Sequence, residues 1–460
     1  MSTDDLHALF NPKSIALVGV PRGFKAGAMF MLGLVDQGFA GPIYPVHPHA
    51  TEIGGLRAYP RLIDVPDPVD MVIVLTPREA VWSILDQCAA KKVKVVVLYT
   101  SGYGETGEDK GREEEKRMRQ SARNGDFRIL GPNCMGVYSP ASGLAFFPGM
   151  PRTPGDLGFI SQSGSIGNLF TGIAAQRKVF FRHVVSYGNA SDIGLPELIS
   201  YMGDDPEVRV ICSYCEGVRD GKALIEAFRG IGGSKPIIMW KVGTTEAGRK
   251  AAASHTGSMS GRERIWEAVF RKHGIIEVSD IEELLDAVMA FYHLPLETRG
   301  RVVIVSGPGG PAVSAADTIQ KCGLEPASLG EQTIQKLKTI LPATGTSLRN
   351  PIDVGLSATF DLRLYLDSLD AIAQDKNVDA IVILGRGASR EMNEQYVESL
   401  IRAGKSSGKA IIAIAFPGML TEEELLEPLY EAGIPVYPTP ERAIRAYAKL
   451  WRFHRFRSRE

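Results

Sequence analysis

The chain has 460 residues, 44% of them hydrophobic, and a formal net charge of -1. Its length suits about three domains of roughly 150 residues, each able to bury a core. The near-neutral balance argues against a nucleic-acid partner, and apolar runs such as Val93–Leu98 fall far short of the ~20 residues of a membrane span.

The start carries Asp4 and Asp5 and no basic-plus-apolar signal, so a cytoplasmic location is expected. Strands are then expected near 14–18, 43–46, 71–75, 93–98 and 127–130, alternating with amphipathic helices. That alternation is the pattern of an α/β, doubly wound parallel sheet. Val18-Gly19-Val20-Pro21-Arg22-Gly23 follows the first strand like a dinucleotide fingerprint, but it is not a G-x-G-x-x-G. The second strand ends Tyr44-Pro45-Val46-His47-Pro48, without the acidic residue that would hold an NAD ribose. Both absences count against a dehydrogenase. Arg22 and Lys25 are placed to meet phosphates, or else form a solvated helix start.

A Pro/Gly-rich join, Pro148–Gly155, leads to strands near 157–161, 182–186, 208–213 and 236–240 and a helix near 281–293. Ser161-Gln162-Ser163-Gly164-Ser165 breaks the first of these strands into a helix. Unpaired amides at such a start favour an anion, although a plain serine-capped turn reads the same way. Glu216 closes an apolar strand before Gly217. It is either a solvated strand-end carboxylate or a group able to hold one imidazole nitrogen. Cys212 and Cys215 have C-x-x-C spacing but sit in that strand, where i and i+3 face opposite ways. With no second pair, no metal or redox site is expected, and five scattered cysteines suit a reducing compartment.

His255 stands alone among small residues in Ala252-Ala253-Ser254-His255-Thr256-Gly257-Ser258. It is a surface-loop histidine or a mobile group carrier. Gly243, Gly248, Gly257 and Gly261 flank it, as a swinging segment requires. After a break at 294–300, strands are expected near 301–305, 378–383, 410–415 and 434–437, and a basic terminal helix at 442–457. Ser306-Gly307-Pro308-Gly309-Gly310 is the richest glycine turn, and its helix start offers a second anion site at Gly309 and Gly310. Asn350-Pro351-Ile352-Asp353 reads as a structural turn. The expected domains are 1–147, 152–296 and 300–460.

Taken in order, Ile43-Tyr44-Pro45-Val46, Gly131-Pro132-Asn133-Cys134, Ser161-Gln162-Ser163-Gly164, Gly188-Asn189-Ala190-Ser191-Asp192, Glu216-Gly217 and Ser254-His255-Thr256-Gly257-Ser258 carry a resemblance. From about residue 10 to about residue 455 the chain resembles the alpha subunits of the ADP-forming acyl-CoA synthetases, relatives of succinyl-CoA synthetase. The resemblance implies a Rossmann-like CoA-binding domain and two flavodoxin-like ligase domains. It implies that His255 is transiently phosphorylated, that Glu216 orients it, and that Ser163, Gly164 and Ser165 bind the phosphoryl group. The turn at Gly309 and Gly310 would be a second helix start aimed at the phosphohistidine. Coenzyme A would meet Gly19, Arg22, Lys25, Thr76, Pro77, Ser101 and Gly102, with Asn133 and Cys134 at its thiol end. Gly19-Val20-Pro21 and Thr100-Ser101-Gly102-Tyr103 depart from the family's usual Gly-Ala-Ser and Ser-Ala-Gly-Phe.

The implied reaction is acyl-CoA + phosphate + ADP ⇌ carboxylic acid + CoA + ATP. No ATP-grasp domain or P-loop is recognised in the sequence, so ADP or ATP with Mg²⁺ is expected on a separate ATP-grasp beta subunit. The other readings are a CoA-binding regulatory module without turnover, an NAD-dependent oxidoreductase, and an acyl or CoA transferase.

Overall fold

The computed structural model describes residues 4–23, 25–248, 250, 263–416 and 423–458. They form two compact units divided between Ser279 and Asp280.

The first unit holds β1 (Ile15–Val18), β2 (Ile43–Val46), β3 (Glu52–Ile53), β4 (Leu56–Arg57), β5 (Met71–Val74), β6 (Val95–Leu98), β7 (Arg128–Leu130), β8 (Gly136–Tyr138), β9 (Leu157–Ser161), β10 (Phe181–Ser186), β11 (Val210–Cys215), β12 (Ile237–Lys241) and β13 (Ile276–Val278). Five of them make a wholly parallel sheet in the order β2-β1-β5-β6-β7. Every residue of β1, β5 and β6 is buried, because helices cover both faces of such a sheet. The chain turns from β1 outward to β2, then returns to build β5, β6 and β7 on the other side. The reversal leaves a crevice between the carboxyl ends of β1 and β5, the usual place for a ligand in open α/β sheets.

The second sheet runs β13-β12-β11-β9-β10-β8. Its reversal falls between β9 and β11. Its edge differs from the expected all-parallel pattern: β8 pairs antiparallel with β10, Val184 opposite Tyr138. Gly136-Val137-Tyr138 is too short for periodicity to announce, and its partner lies forty-odd residues on in the sequence. The apolar core below the two sheets is continuous, with Leu130, Cys134 and Val137 sharing a cluster with Ile160, Val185 and Tyr187.

The second unit contains β14 (Arg301–Ser306), β15 (Glu325–Pro326), β16 (Ile352–Asp353), β17 (Ala380–Leu384), β18 (Ala410–Ile414) and β19 (Val436–Tyr437). The order is β15-β14-β17-β18-β19, with β16 also paired to β14, so the reversal here lies between β14 and β17. Helix Ile281–His293 packs along helix Pro440–Arg457 in this unit. Arg442 binds both carboxylate oxygens of Asp286 at 2.7 and 2.9 Å, and the rings of Phe291 and Phe453 meet at 5.8 Å. Asn350 precedes a cis proline and plugs into the sheet. Its amide accepts from Ile304 at 3.1 Å and donates to the carbonyls of Val302 and Ala327. The segment is thus structural, although Ile352 and Asp353 form strand β16 rather than a turn. Among the described residues, no helix is long and apolar enough to cross a membrane.

Candidate active site

At the first sheet, residues named from four separate stretches of sequence meet at the carboxyl ends of β1, β5, β6 and β7. Gly19 follows β1 with φ 91°, and a Cβ there would stand 2.6 Å from Thr76 Cγ2. A side chain is excluded twice, by conformation and by space. Thr76 follows β5. Its carbonyl accepts from Thr100 Oγ1 at 2.7 Å, while its own Oγ1 is buried without a partner. Pro77 starts the short helix Arg78–Ala80. Ser101 and Gly102 follow β6, and the Gly102 amide is held by the Glu105 carboxylate. Arg22 and Lys25 are exposed beside this edge, and Lys25 is the residue before helix Ala26–Gln37, with no side-chain cap. His47, at the end of β2, is held below its ordinary basicity, chiefly by burial and then by the charge of Arg22.

Asn133 follows β7 in a left-handed conformation, φ 59°, and its amide nitrogen donates to Thr100 O at 3.1 Å. Its neighbour Cys134 is 3% exposed, and Sγ contacts the Leu98 and Leu130 carbonyls at 3.5 Å. Burial pushes that thiol up to about 12, which disfavours the thiolate that nucleophilic attack requires.

At the second sheet, Ser163 caps helix Gly164–Ala175. Its Oγ accepts the Ile166 amide at 3.5 Å and lies 3.0 Å from Ser165 Oγ. The first amides of a helix have no acceptor inside it, and its dipole adds partial positive charge, so this start is suited to an anion. Gly164 is needed for packing as well, since a Cβ would stand 2.2 Å from Met135 Cγ.

Gln162, in the same motif, joins this helix start to the end of β11. Its Oε1 accepts the Glu216 amide at 2.8 Å, the Gly217 amide at 3.1 Å and the Tyr187 hydroxyl at 3.2 Å. Glu216 is 5% exposed, and Tyr214 donates its hydroxyl to Oε1 at 3.3 Å. Lys241, ending β12, is 6% exposed and donates to the Glu216 carbonyl at 2.8 Å and to the Val242 carbonyl. Burial lowers its ordinary basicity, and the neighbouring Cys215 and Glu216 oppose that. The ammonium thus fastens the Glu216 loop to the point where the chain leaves β12 toward residue 255. His255, Gly257 and Gly261 lie outside the described residues.

The sequence reading did not single out Gln162 or Lys241 as site residues. Their signal was available: a polar residue at a strand end inside an otherwise apolar, buried run. Cys212 and Cys215 are both buried in β11, with burial raising each thiol.

In the second unit, Gly309 and Gly310 open helix Gly309–Lys321 behind Pro308, which supplies no side-chain cap. Gly307 lies against Tyr365, whose Oη would be 2.3 Å from a Cβ. The Asp353 carboxylate borders this turn, 3.7 Å from where a Gly309 Cβ would be.

Comparison with known proteins bears on this geometry. Residues 13–140 match the model of the CoA binding domain, and residues 154–291 that of the succinyl-CoA ligase like flavodoxin domain. The alpha subunit of ADP-forming acetate–CoA ligase I from Pyrococcus furiosus is 36% identical, over 99% of this chain and 99% of its own. The chain belongs to the alpha subunits of the ADP-forming acyl-CoA synthetases. It is an enzyme of the acid–CoA ligase class. A longer relative, ADP-forming acetate–CoA ligase I from Archaeoglobus fulgidus, is 31% identical over 99% of this chain but only 64% of its own. A solved member, the dinucleotide forming acetyl-coenzyme A synthetase 1 of Ca. Korarchaeum cryptofilum in complex with phosphate and ADP, has a TM-score of 0.89 at 32% identity. It covers 99% of this chain and 98% of that one. The family thus accounts for the α/β fold and for the crevices at the strand ends.

Proposed function

We propose that this chain carries the acyl-CoA and phosphohistidine stations of the reaction acyl-CoA + phosphate + ADP ⇌ carboxylic acid + CoA + ATP. Coenzyme A occupies the crevice of the first sheet, its phosphates near Arg22 and Lys25 and its thiol end toward Asn133. A phosphate oxygen attacks the thioester carbon, the C–S bond breaks, and the thiolate takes up a proton. An imidazole nitrogen of His255 then attacks phosphorus, and the carboxylate leaves with the bridging oxygen. Glu216 holds the other ring nitrogen, and the helix start at Ser163–Ser165 offsets phosphate charge.

The observation that carries this reading is the Gln162 junction. One buried amide oxygen fixes the Glu216 backbone beside a serine-capped helix start suited to an anion, at the reversal point of the second sheet. A strand-end carboxylate serving solubility alone needs no such anchoring.

The phosphoryl group then passes to ADP. We assign that step, and Mg²⁺ binding, to a separate beta subunit of ATP-grasp fold. Support comes from the alpha-subunit name of the Pyrococcus relative and from the extra length of the Archaeoglobus one. Acetate is the first acid to test, because both relatives are named for it.

The test is intact-protein mass after incubation with phosphate and a panel of acyl-CoAs, with H255A in parallel. The expected result is an acid-labile phosphoryl adduct on the wild type alone, formed from the productive acyl-CoA. An adduct missing even after adding a beta subunit and ATP, with CoA still bound, would leave a binding module instead.

A further inference from the structure

Glu115 lies in helix Asp109–Gly125, within Asp-Lys-Gly-Arg-Glu-Glu-Glu-Lys-Arg, a run that reads as a solvated face. It is nevertheless 1% exposed. Burying a carboxylate is costly unless it is paired and fully hydrogen-bonded. Here its partners come from three parts of the first unit. Oε1 accepts the Gly104 amide at 2.9 Å and the Asn189 side-chain amide at 2.8 Å. Oε2 pairs with Arg219.

Each partner belongs to a segment with a place in the proposed reaction. Gly104 sits in the loop after β6, where Glu105 holds the Gly102 and Tyr103 amides. Asn189 donates to Glu105 as well and accepts from Asn133 Nδ2 at 3.3 Å. Arg219 is three residues beyond Glu216, on the loop that Gln162 anchors. The approach is tight and built for: a Cβ on Gly111 would stand 2.1 Å from the Tyr103 carbonyl oxygen, and one on Gly104 would stand 2.6 Å from Glu115 Oε1. Two glycines therefore let the helix bring its carboxylate to the loop.

We infer that Glu115 is a positioning residue that couples the loop Ser101–Glu105 at the CoA crevice to the loop Glu216–Arg219 at the phosphoryl site. The inference rests on the proposed function and adds a link between its two stations. Occupancy of the first loop fixes Glu115 through Gly104 and Asn189, and Glu115 fixes Arg219 and with it the Glu216 loop. Coupling between two sites is reciprocal, so phosphate at the second strengthens CoA binding at the first.

The test compares wild type, E115Q, R219M, R219K and the E115Q/R219M double variant, in complex with the beta subunit. Phosphoenzyme is formed either from acetyl-CoA and phosphate or from ATP. The expected result is a loss of about tenfold in the acetyl-CoA-driven rate for E115Q and R219M, a double variant no worse than either, and recovery in R219K. The ATP-driven rate stays within about twofold, since that direction leaves the CoA loop empty and the Glu216 loop keeps its Gln162 and Lys241 anchors. Equal losses in both directions, accompanied by a fall in melting temperature, mean a structural role and overturn the inference. So does an unchanged E115Q. If wild type forms no phosphoenzyme from either side, the proposed reaction fails. The coupling is then read by titrating CoA into the chain with and without saturating phosphate. A phosphate-dependent gain in affinity that E115Q abolishes supports it, and a wild type indifferent to phosphate overturns it.

Discussion

The turns after β9 and β14 share one device and differ in what surrounds it. Each strand ends in a fully buried serine whose hydroxyl donates to the carbonyl two residues on: Ser161 to Ser163 at 2.6 Å, Ser306 to Pro308 at 2.7 Å. A helix starts on the next residue, Gly164 or Gly309. The likeness extends to the opposite ends of the sheets. Lys235 donates to the Met202 and Asp205 carbonyls, as Lys409 does to those of Asp375 and Val378. Around the first turn stand Gln162, Glu216 and Lys241. Around the second stand Tyr365, Gly355 and Asp353. The shared turn is thus a scaffold, and the chemistry is set by the neighbouring strand ends.

Four predictions probe this contrast. Replacing Glu216 by Gln should slow phosphoenzyme formation about 100-fold, the upper end of effects from residues that orient a reacting imidazole. The matching change D353N should cost less than about threefold, measured by the same quenched adduct assay. Next, G164A should destabilise by about 1–3 kcal/mol in denaturant melts, because its methyl meets Met135. G310A meets nothing within 4 Å and should be neutral or stabilise by up to about 1 kcal/mol. Third, S161A and S306A should each cost about 1 kcal/mol, the worth of one buried hydrogen bond. A difference larger than about 1 kcal/mol between them would break the claim of a common scaffold.

The smallest effect is in pH. Buried His183 binds Ser139 Oγ at 3.1 Å and Asp205 at 3.2 Å, and burial depresses its basicity below the ordinary 6.5. The unfolded chain therefore takes up a proton that the folded one resists, so stability is present above pH 6.5 and falls as pH drops below it. Asp205, held down to about 2 first by its bond to His183, adds a loss that begins below its ordinary 3.8 and is complete only near pH 2. Among the described residues no histidine accompanies Asp375, its counterpart beside Lys409. Thermal melts of H183Q between pH 7 and 5 should be flatter than those of wild type, and an unchanged slope would place the titration elsewhere.

The sheets were legible in the sequence because parallel strands are short apolar runs, and β1, β6 and β14 are almost purely so. The helix starts were legible from their serines and glycines. Three things were not. The short strands β8, β13 and β16 carry too little pattern, unlike the equally short β7 and β19, which lie within longer, mostly apolar runs. Gln162 sits in a motif that drew attention for its serines and glycine, and Lys241 reads as the polar end of an ordinary strand. Glu115 was hidden by its neighbours, since Glu113 on the same helix is the solvated kind, Glu114 is only partly buried against Arg78, and nothing local separates the three. The clue lay in Gly104 and Gly111, small residues whose only reason is a close approach from elsewhere.

The antiparallel edge strand β8 has a consequence for cutting the chain. It precedes the Pro148–Gly155 join in sequence, yet hydrogen-bonds to β10 beyond it. A polypeptide severed within that join should stay together as a complemented pair, with one fragment donating a strand to the other. A fragment stopped before Gly136 keeps its own sheet complete. One stopped at the join carries an orphaned strand with an apolar face, the kind of exposed edge that recruits other chains. Where the gene is divided would then decide whether the pieces remain soluble.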